Sequence, residues 1–439
     1  MNFQKYDDLF CRENYPVFNL EYLPEDNSAC ICLSGKEYGK CCKVNVEKAI
    51  QHNNDKKDCE ELKKIYQRTE KKLISSKIVD KAINKKNISY CLAEKILGNC
   101  NICNNVKSHT LAKGNVLSNL SENDNVVVSF NDHLMIDIDM ISNCIESYYT
   151  EVKLEDASLT VSFCKDHDRE LFLEIETDGK CNYSNTGIEN LEYALKAISF
   201  QIYYYIENVR YLSELIKTSK NVLGSCNGCK SDLLKQYSIC VDELFRLYPL
   251  SQRIIEEIKN FKQGKMDIKL KTVYIKLPCK KINISCSEVI EEQGIYYFIN
   301  VVNAPEAYMI FSYYEGENKK VWINEIKNKF ENRICKQDDI YNFMLSFVIT
   351  NAQNIYMNRR KFKQLSDEEK RYLYVVHREG TANIPEKVHR KYSKGLYSFF
   401  FEGWVVTSSD FYYVSTTIAV HILQYFAKFC ILCTEMTDT

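Results

Sequence analysis

The residues most able to do chemistry are cysteines and histidines at metal-ligand spacing. Cys100-Asn-Ile-Cys103 is followed by Ser108-His109, and about sixty residues later by Phe163-Cys164-Lys165-Asp166-His167-Asp168. Two pairs of soft ligands separated by a long insertion suit a tetrahedral zinc shell. Cys100, Cys103, Cys164 and His167 are the expected ligands of one zinc ion; the alternative is that the Cys-x-x-Cys is an unmetallated turn. A second group, Cys30-Ile-Cys32 and Cys41-Cys42, puts four cysteines in thirteen residues. Ser34-Gly35 between them permits a tight reversal, so these four can close a second shell of thiolates. A segment this short holds together only with its metal. Two zinc sites per chain are expected.

His109 poses the open chemical question. A histidine at this place can be a general base that activates water, or a ligand or support of the zinc ribbon.

Composition narrows the setting. The chain has 439 residues, 20 cysteines, 14 glycines and 6 prolines, and a net charge of −1. Such a length holds two or three domains, and so little glycine and proline leaves little room for long flexible linkers. The N-terminus lacks a basic-then-apolar signal pattern, which points to a cytoplasmic protein. In a reducing compartment the cysteines are metal ligands and buried thiols rather than disulfides. The apolar run from Val414 to Cys433 approaches spanning length, but Thr416, Thr417, His421, Gln424 and Lys428 break it; it reads as a buried helix, and no membrane partner is expected. Near-zero net charge means that any nucleic-acid surface must be local. There is no GxxxxGK[ST] loop, no GxGxxG and no serine-hydrolase elbow, so ATP-driven and dinucleotide chemistry have no support.

Two resemblances add to this. The Cys-x-Cys, eight residues, Cys-Cys pattern with Ser34-Gly35-Lys36 resembles the SEC-C zinc motif of the SecA translocation ATPase C-terminus and of many otherwise unrelated bacterial proteins. The resemblance implies a docking knob for protein or ribosome partners. The block Cys100, Cys103, Ser108-His109, Phe163-Cys164, His167-Asp168, Leu171-Phe172, Ile175-Glu176 resembles a group of uncharacterised bacterial proteins and, more broadly, the treble-clef and HNH-type nuclease scaffold. That scaffold implies a histidine acting as general base and a divalent cation, Mg²⁺ or Mn²⁺, held by His, Asn or Asp. Asn115, Asn119, His133 and Asp168 are the available candidates for that cation. The chain departs from the pattern at Ser108, where many such enzymes carry an acid. Bacterial proteins assembled this way are often found in phage defence.

The elements that must position these residues follow from periodicity. Leu159–Phe163 alternates as a strand, and a helix beginning at Asp166 carries acids at its N-terminus, where the dipole favours them. A helix over 190–217 repeats Leu191, Leu195, Ile198, Ile202, Ile206, Val209 and Leu212 at steps of three and four. A second helix spans about 237–261, with Pro249 as a break. Four β-rich runs, 267–277, 281–286, 295–302 and 307–314, suggest an antiparallel sheet. Helices follow from Trp322, over 338–356, and after the Ser366-Asp-Glu-Glu369 capping box. Cys226-Asn-Gly-Cys229 has no partner pair nearby and reads as a turn; Cys430 and Cys433 have no assigned role.

The expected fold is α+β and multidomain: a SEC-C knuckle module (1–45), a charged helical segment (46–90), a treble-clef-like zinc domain (91–185), central helices (186–262), and a C-terminal domain (263–439) with an antiparallel sheet and helices. Residues 54–86 carry eleven Lys/Arg against six Asp/Glu. A second basic collection lies at 358–394. Both are candidates for phosphate contacts, with a solvated surface as the plainer reading. The expected function is zinc-dependent binding of a nucleic-acid or protein partner. An HNH-like metal-dependent endonuclease using His109 is the alternative, and a structural subunit of a larger complex the third reading.

Overall fold

A computed structural model describes residues 26–27, 37–40, 43, 91–98, 100, 106–122, 124–130, 148–176, 183–222, 227–265, 267–277, 279, 281–292, 294–303, 306–315, 328, 337–381, 384 and 386–402. The calls at Cys30, Cys32, Cys41, Cys42, Cys103 and His133, and those on 54–86 and 403–439, lie outside these residues.

The architecture is a mixed α/β arrangement around one antiparallel sheet. Its strands are β2 (Val126–Phe130), β3 (Tyr149–Lys153), β5 (Lys271–Lys276), β7 (Ile284–Glu292), β8 (Ile295–Asn303), β9 (Ala307–Tyr313) and β10 (Ile355–Asn358), in the order β3-β2-β10-β7-β8-β9-β5. Two short pairs stand beside it: β1 (Ser108–His109) with β4 (Leu159–Thr160), and β6 (Lys281–Ile282) with β11 (Phe401–Glu402). All the β-rich runs expected between 267 and 314 are strands of this kind. The strand order shows something periodicity could not: β10 joins the sheet between β2 and β7, with Met357 opposite both Val128 and Ile284.

The central strands are buried on both faces, which is why they read as nearly continuous apolar runs. Successive residues point to opposite sides. Phe298, Val302 and Ile310 face one core with the long helices α5 (Gly187–Val222) and α6 (Asn227–Lys262). Ile299, Val301, Met309 and Phe311 face the other, covered by α7 (Gln337–Phe343), α8 (Arg359–Gln364), α9 (Asp367–Glu379) and α10 (Glu386–Phe400). The zinc-motif segment belongs to the first core, through Cys91, Leu92, Phe163, Cys164 and Phe172.

Three expectations need correction. Helix α6 runs unbroken through Pro249 from Asn227 to Lys262, so Cys229 lies in a helical first turn rather than in a free turn. A proline is accommodated where neighbouring packing holds the helix despite the missing N–H. The helix expected over 338–356 ends earlier: α7 passes into a π-helix (Met344–Ile349), and Ile355–Asn358 is strand β10. The polar stretch Asn351–Asn354 interrupts it, with Glu288 accepting from the backbone N–H of Gln353 (2.7 Å) and Asn354 (2.9 Å). The segment 111–119, whose sequence suggests a turn, holds instead a π-helical turn (Lys113–Leu117) and the start of α2 (Ser118–Ser121). The Ser366 capping box is present at the start of α9.

The basic collection at 358–394 is largely committed within the fold. Arg359 pairs with Glu151 (2.8 Å) and Asp124 (3.2 Å), and Lys363 with Glu151 (3.0 Å). Lys361 meets Glu402 at 3.7 Å, Lys370 meets Asp367 at 3.6 Å and Lys391 meets Glu368 at 3.2 Å. These pairs are all at least partly open to solvent, and each contributes modest stability. They do reduce the charge this face offers to phosphates.

Glu288 sets a pH dependence. It is 1% exposed, and burial pushes its carboxyl up to about 7 from an ordinary 4.5. The folded state therefore favours the neutral acid. That contribution is complete below pH 4.5 and is lost as pH rises through about 7. The difference corresponds to roughly 3 kcal/mol. Thermal melts should show stability falling between pH 5 and 8, and Glu288→Gln should flatten that slope; a variant with the wild-type slope would exclude Glu288 as its source.

Candidate metal centre and the adjoining histidine

The segment leading into the first ligands is a single helical turn, α1 (Glu94–Leu97), opened by Glu94 N–H donating to the Cys91 carbonyl. Gly98, at φ 69, ends it in the left-handed region, where glycine pays no steric penalty, and the chain turns back to Cys100. The turn is held from outside: Leu92 N–H donates to Ser162 O (3.0 Å), Gln252 Nε2 to Leu92 O (2.7 Å) and Lys259 Nζ to Ile96 O (2.6 Å). The second pair sits on α3 (Lys165–Leu171), with Cys164 as its N-cap residue in extended conformation. Cys164 and His167 are three apart and so share a face.

These elements bring together Cys91, Cys100, Cys164 and His167, whose ligand atoms all lie within 4.8 Å of one another. Three were expected; the fourth is Cys91. Metal–sulfur and metal–nitrogen bonds of about 2.3 and 2.1 Å put the corners of a tetrahedron roughly 3.6–3.8 Å apart. Cys91 Sγ and His167 Nδ1 are 3.3 Å apart, close to one edge. Cys164 N–H points at Cys91 Sγ (3.4 Å), a bond that favours a thiolate. Burial pushes the Cys91 thiol up to about 11 and raises Cys100 as well. Thiols held so far from water give up their protons when a metal supplies the compensating charge. The donor set, the spacing and the burial fit a metal ion such as zinc in a closed shell of four protein ligands, the structural type. Cys91, nine positions before Cys100 in an apolar Cys-Leu-Ala run, belongs to no Cys-x-x-Cys pair and so carries no such signature.

Beside this cluster is a buried lysine that sequence reading missed. Lys196, on α5, has a side chain 2% exposed. Its Nζ lies 2.6 Å from Glu176 Oε1, donates to Ser108 Oγ (2.9 Å), and sits 3.7 Å from the centroid of the Phe172 ring. Asp168 Oδ1 is at 3.9 Å, an ion pair too long to be a hydrogen bond. One cation thus gathers Ser108 from β1, Asp168 from α3, and Phe172 and Glu176 at and beyond its end. The short α4 (Leu173–Glu176) is anchored by another α5 residue: Glu192 accepts from the N–H groups of Glu174 (3.0 Å) and Ile175 (3.1 Å). The only sequence signal for Lys196 was a charged residue on an otherwise apolar stretch of the 190–217 helix.

His109 is outside the metal cluster. It ends β1, opposite Leu159 of β4, and is half-buried. Its Nδ1 lies 2.7 Å from the Ala157 carbonyl, to which it can only donate. That bond leaves Nε2 with its lone pair free to accept a proton. Burial depresses its pKa below the ordinary 6.5; Lys113 and Lys196 act in the same direction, and Glu176 opposes them. Of the candidates for a divalent cation, Asn119 Nδ2 donates to the Asn303 carbonyl (3.1 Å), and Asp168 is turned toward Lys196.

No family model, curated protein or solved structure matches the chain. Among the described residues no helix is long and apolar enough to cross a membrane.

Proposed function

We propose that the zinc-type cluster is structural and that the polar site it braces, centred on His109, hydrolyses nucleic acid. The observation that carries this reading is the state of His109: its Nδ1–H is pinned to the Ala157 carbonyl, and burial keeps the ring neutral near pH 7. A neutral imidazole with a fixed tautomer and a free Nε2 is what a general base for water requires. The carbonyl does for His109 what a neighbouring acid does in many HNH-type sites, so Ser108 does not count against the chemistry. Ser108 instead binds Lys196. A Mg²⁺ or Mn²⁺ ion would supply charge stabilisation at the phosphate. Nucleic acid as substrate, the SEC-C module with a second zinc, the treble-clef description and a role in phage defence rest on the sequence resemblances.

The test is cleavage of single- and double-stranded DNA and RNA with added Mg²⁺ or Mn²⁺. His109→Gln should lower the rate by about 100-fold or more while zinc content stays unchanged. The wild-type rate should hold through the ordinary histidine value of 6.5 and fall only at lower pH, since the depressed pKa keeps the base unprotonated beyond that point. Retention of nucleic acid without cleavage would replace this reading with the binding role. Neither cleavage nor retention at low salt would leave a structural subunit, and loss of zinc in His109→Gln would make His109 a support of the ribbon.

A further inference from the structure

We infer that Tyr356, on β10, is a positioning residue for His109 and acts through the single peptide unit between Ala157 and Ser158. The inference rests on His109 being the base. The carbonyl of that peptide accepts from His109 Nδ1 at 2.7 Å. The N–H of the same peptide, on Ser158, donates to Tyr356 Oη at 2.6 Å. The two bonds engage opposite ends of one conjugated group, so each polarises the other: the phenol oxygen, accepting from the N–H, pushes electron density through the amide onto the carbonyl oxygen and makes it a stronger acceptor. A stronger acceptor at Nδ1–H makes Nε2 more basic and holds the tautomer that leaves Nε2 free.

The peptide is fixed independently. Ser158 has φ 59, the left-handed region that costs a non-glycine residue about 1 kcal/mol. It is 1% exposed, and it persists there because its surroundings over-determine it. Its carbonyl accepts from Thr110 N–H (2.8 Å) and its Oγ from Leu111 N–H (2.8 Å). Thr110 in turn accepts from Asn354 Nδ2 (2.8 Å), two residues before Tyr356. The segment carrying β10 thus reaches the residues that flank His109 at two points. Burial pushes the Tyr356 phenol up to about 12, so Oη keeps its proton throughout the range in which His109 titrates. The charges that act on His109 are Lys113, Lys196 and Glu176; none belongs to β10, so the influence of Tyr356 runs through the hydrogen bonds.

The experiment is nitrogen-15 NMR of the full chain labelled at histidine, with His109 assigned by its loss in His109→Gln. The wild type should show His109 protonated at Nδ1. In Tyr356→Phe, a near-isosteric change, the Nδ1-protonated share should fall, the pKa of His109 should drop further, and zinc content should stay at the wild-type value. Where the wild type cleaves nucleic acid, kcat should fall about tenfold with KM unchanged. If Tyr356→Phe does not fold, fluorinated tyrosine at 356 keeps the shape and weakens Oη as acceptor, and should move the tautomer balance in the same direction. An unchanged tautomer and pKa would overturn the inference, as would a wild-type His109 protonated at Nε2. A wild type that shows the coupling by NMR but cleaves nothing would sink the hydrolytic reading and leave the coupling standing.

Discussion

Cys91→Ser should cost the chain one zinc ion. The wild type is expected to hold two by elemental analysis, one in the cluster of Cys91, Cys100, Cys164 and His167 and one in the 30–42 module; the variant should hold one. Serine keeps the size of the side chain and removes the thiolate. Loss of a direct ligand should weaken binding beyond the 10–100-fold that loss of an outer-shell partner costs. The consequence is structural as well. Leu92 and Ala93 are buried in the core beside Cys91, and α1, β1 and α3 are short elements that cannot stabilise themselves. Loss of the metal should therefore destabilise this half by about 4 kcal/mol or more, read as a lower midpoint in denaturant. Cys240→Ser, which alters a buried thiol of α6 outside the cluster, should retain both ions. Cys103→Ser provides the competing outcome: if it removes the ion and Cys91→Ser does not, the assignment of Cys91 fails.

Lys196→Met should be nearly as damaging, and for an electrostatic reason. Methionine fills a similar space and can still pack on Phe172, so the change isolates the charge. It leaves Glu176 and Asp168 without their cation and Ser108 Oγ without its donor. Removing one partner of a buried ion pair costs about 3–5 kcal/mol, and the partial exposure of Glu176 places the effect at the lower end. Because Asp168 follows His167 directly on α3, zinc should also leave faster on challenge with a chelator. Lys196→Met combined with Glu176→Gln should recover part of the loss, because the double variant removes the stranded charge as well. A single variant within 0.5 kcal/mol of wild type (roughly the range of ordinary surface substitutions) would show that the clasp contributes nothing.

Much of the molecule could be read before the chain was folded. The strands at 271–313 were visible because both of their faces are buried and their apolar runs are bounded by turn residues. The 190–217 helix was visible in its three- and four-residue steps, and α9 in its capping box. Cys100, Cys164 and His167 were visible because a soft-ligand pair at short spacing has few other uses. Strand β10 was misread as the end of a helix, since four residues bounded by polar ones carry no period of their own and become a strand only because β2 and β7 offer unpaired edges on either side.

What the sequence determined by itself is the chemistry on offer: metal ligands in number, a histidine beside a serine, and an α+β chain with an antiparallel sheet. What only the tertiary structure decided is which of these residues meet. Cys91 joins the cluster because α6 and Ser162 hold its turn against α3. Lys196 becomes a clasp because burial leaves it no water and three separate elements supply its partners. His109 is oriented by the Ala157 carbonyl, whose peptide is tied in turn to Tyr356, nearly two hundred residues away. Spacing along the chain encodes local pairs; a hydrogen bond or ion pair between distant segments is fixed by packing, which no local pattern reports.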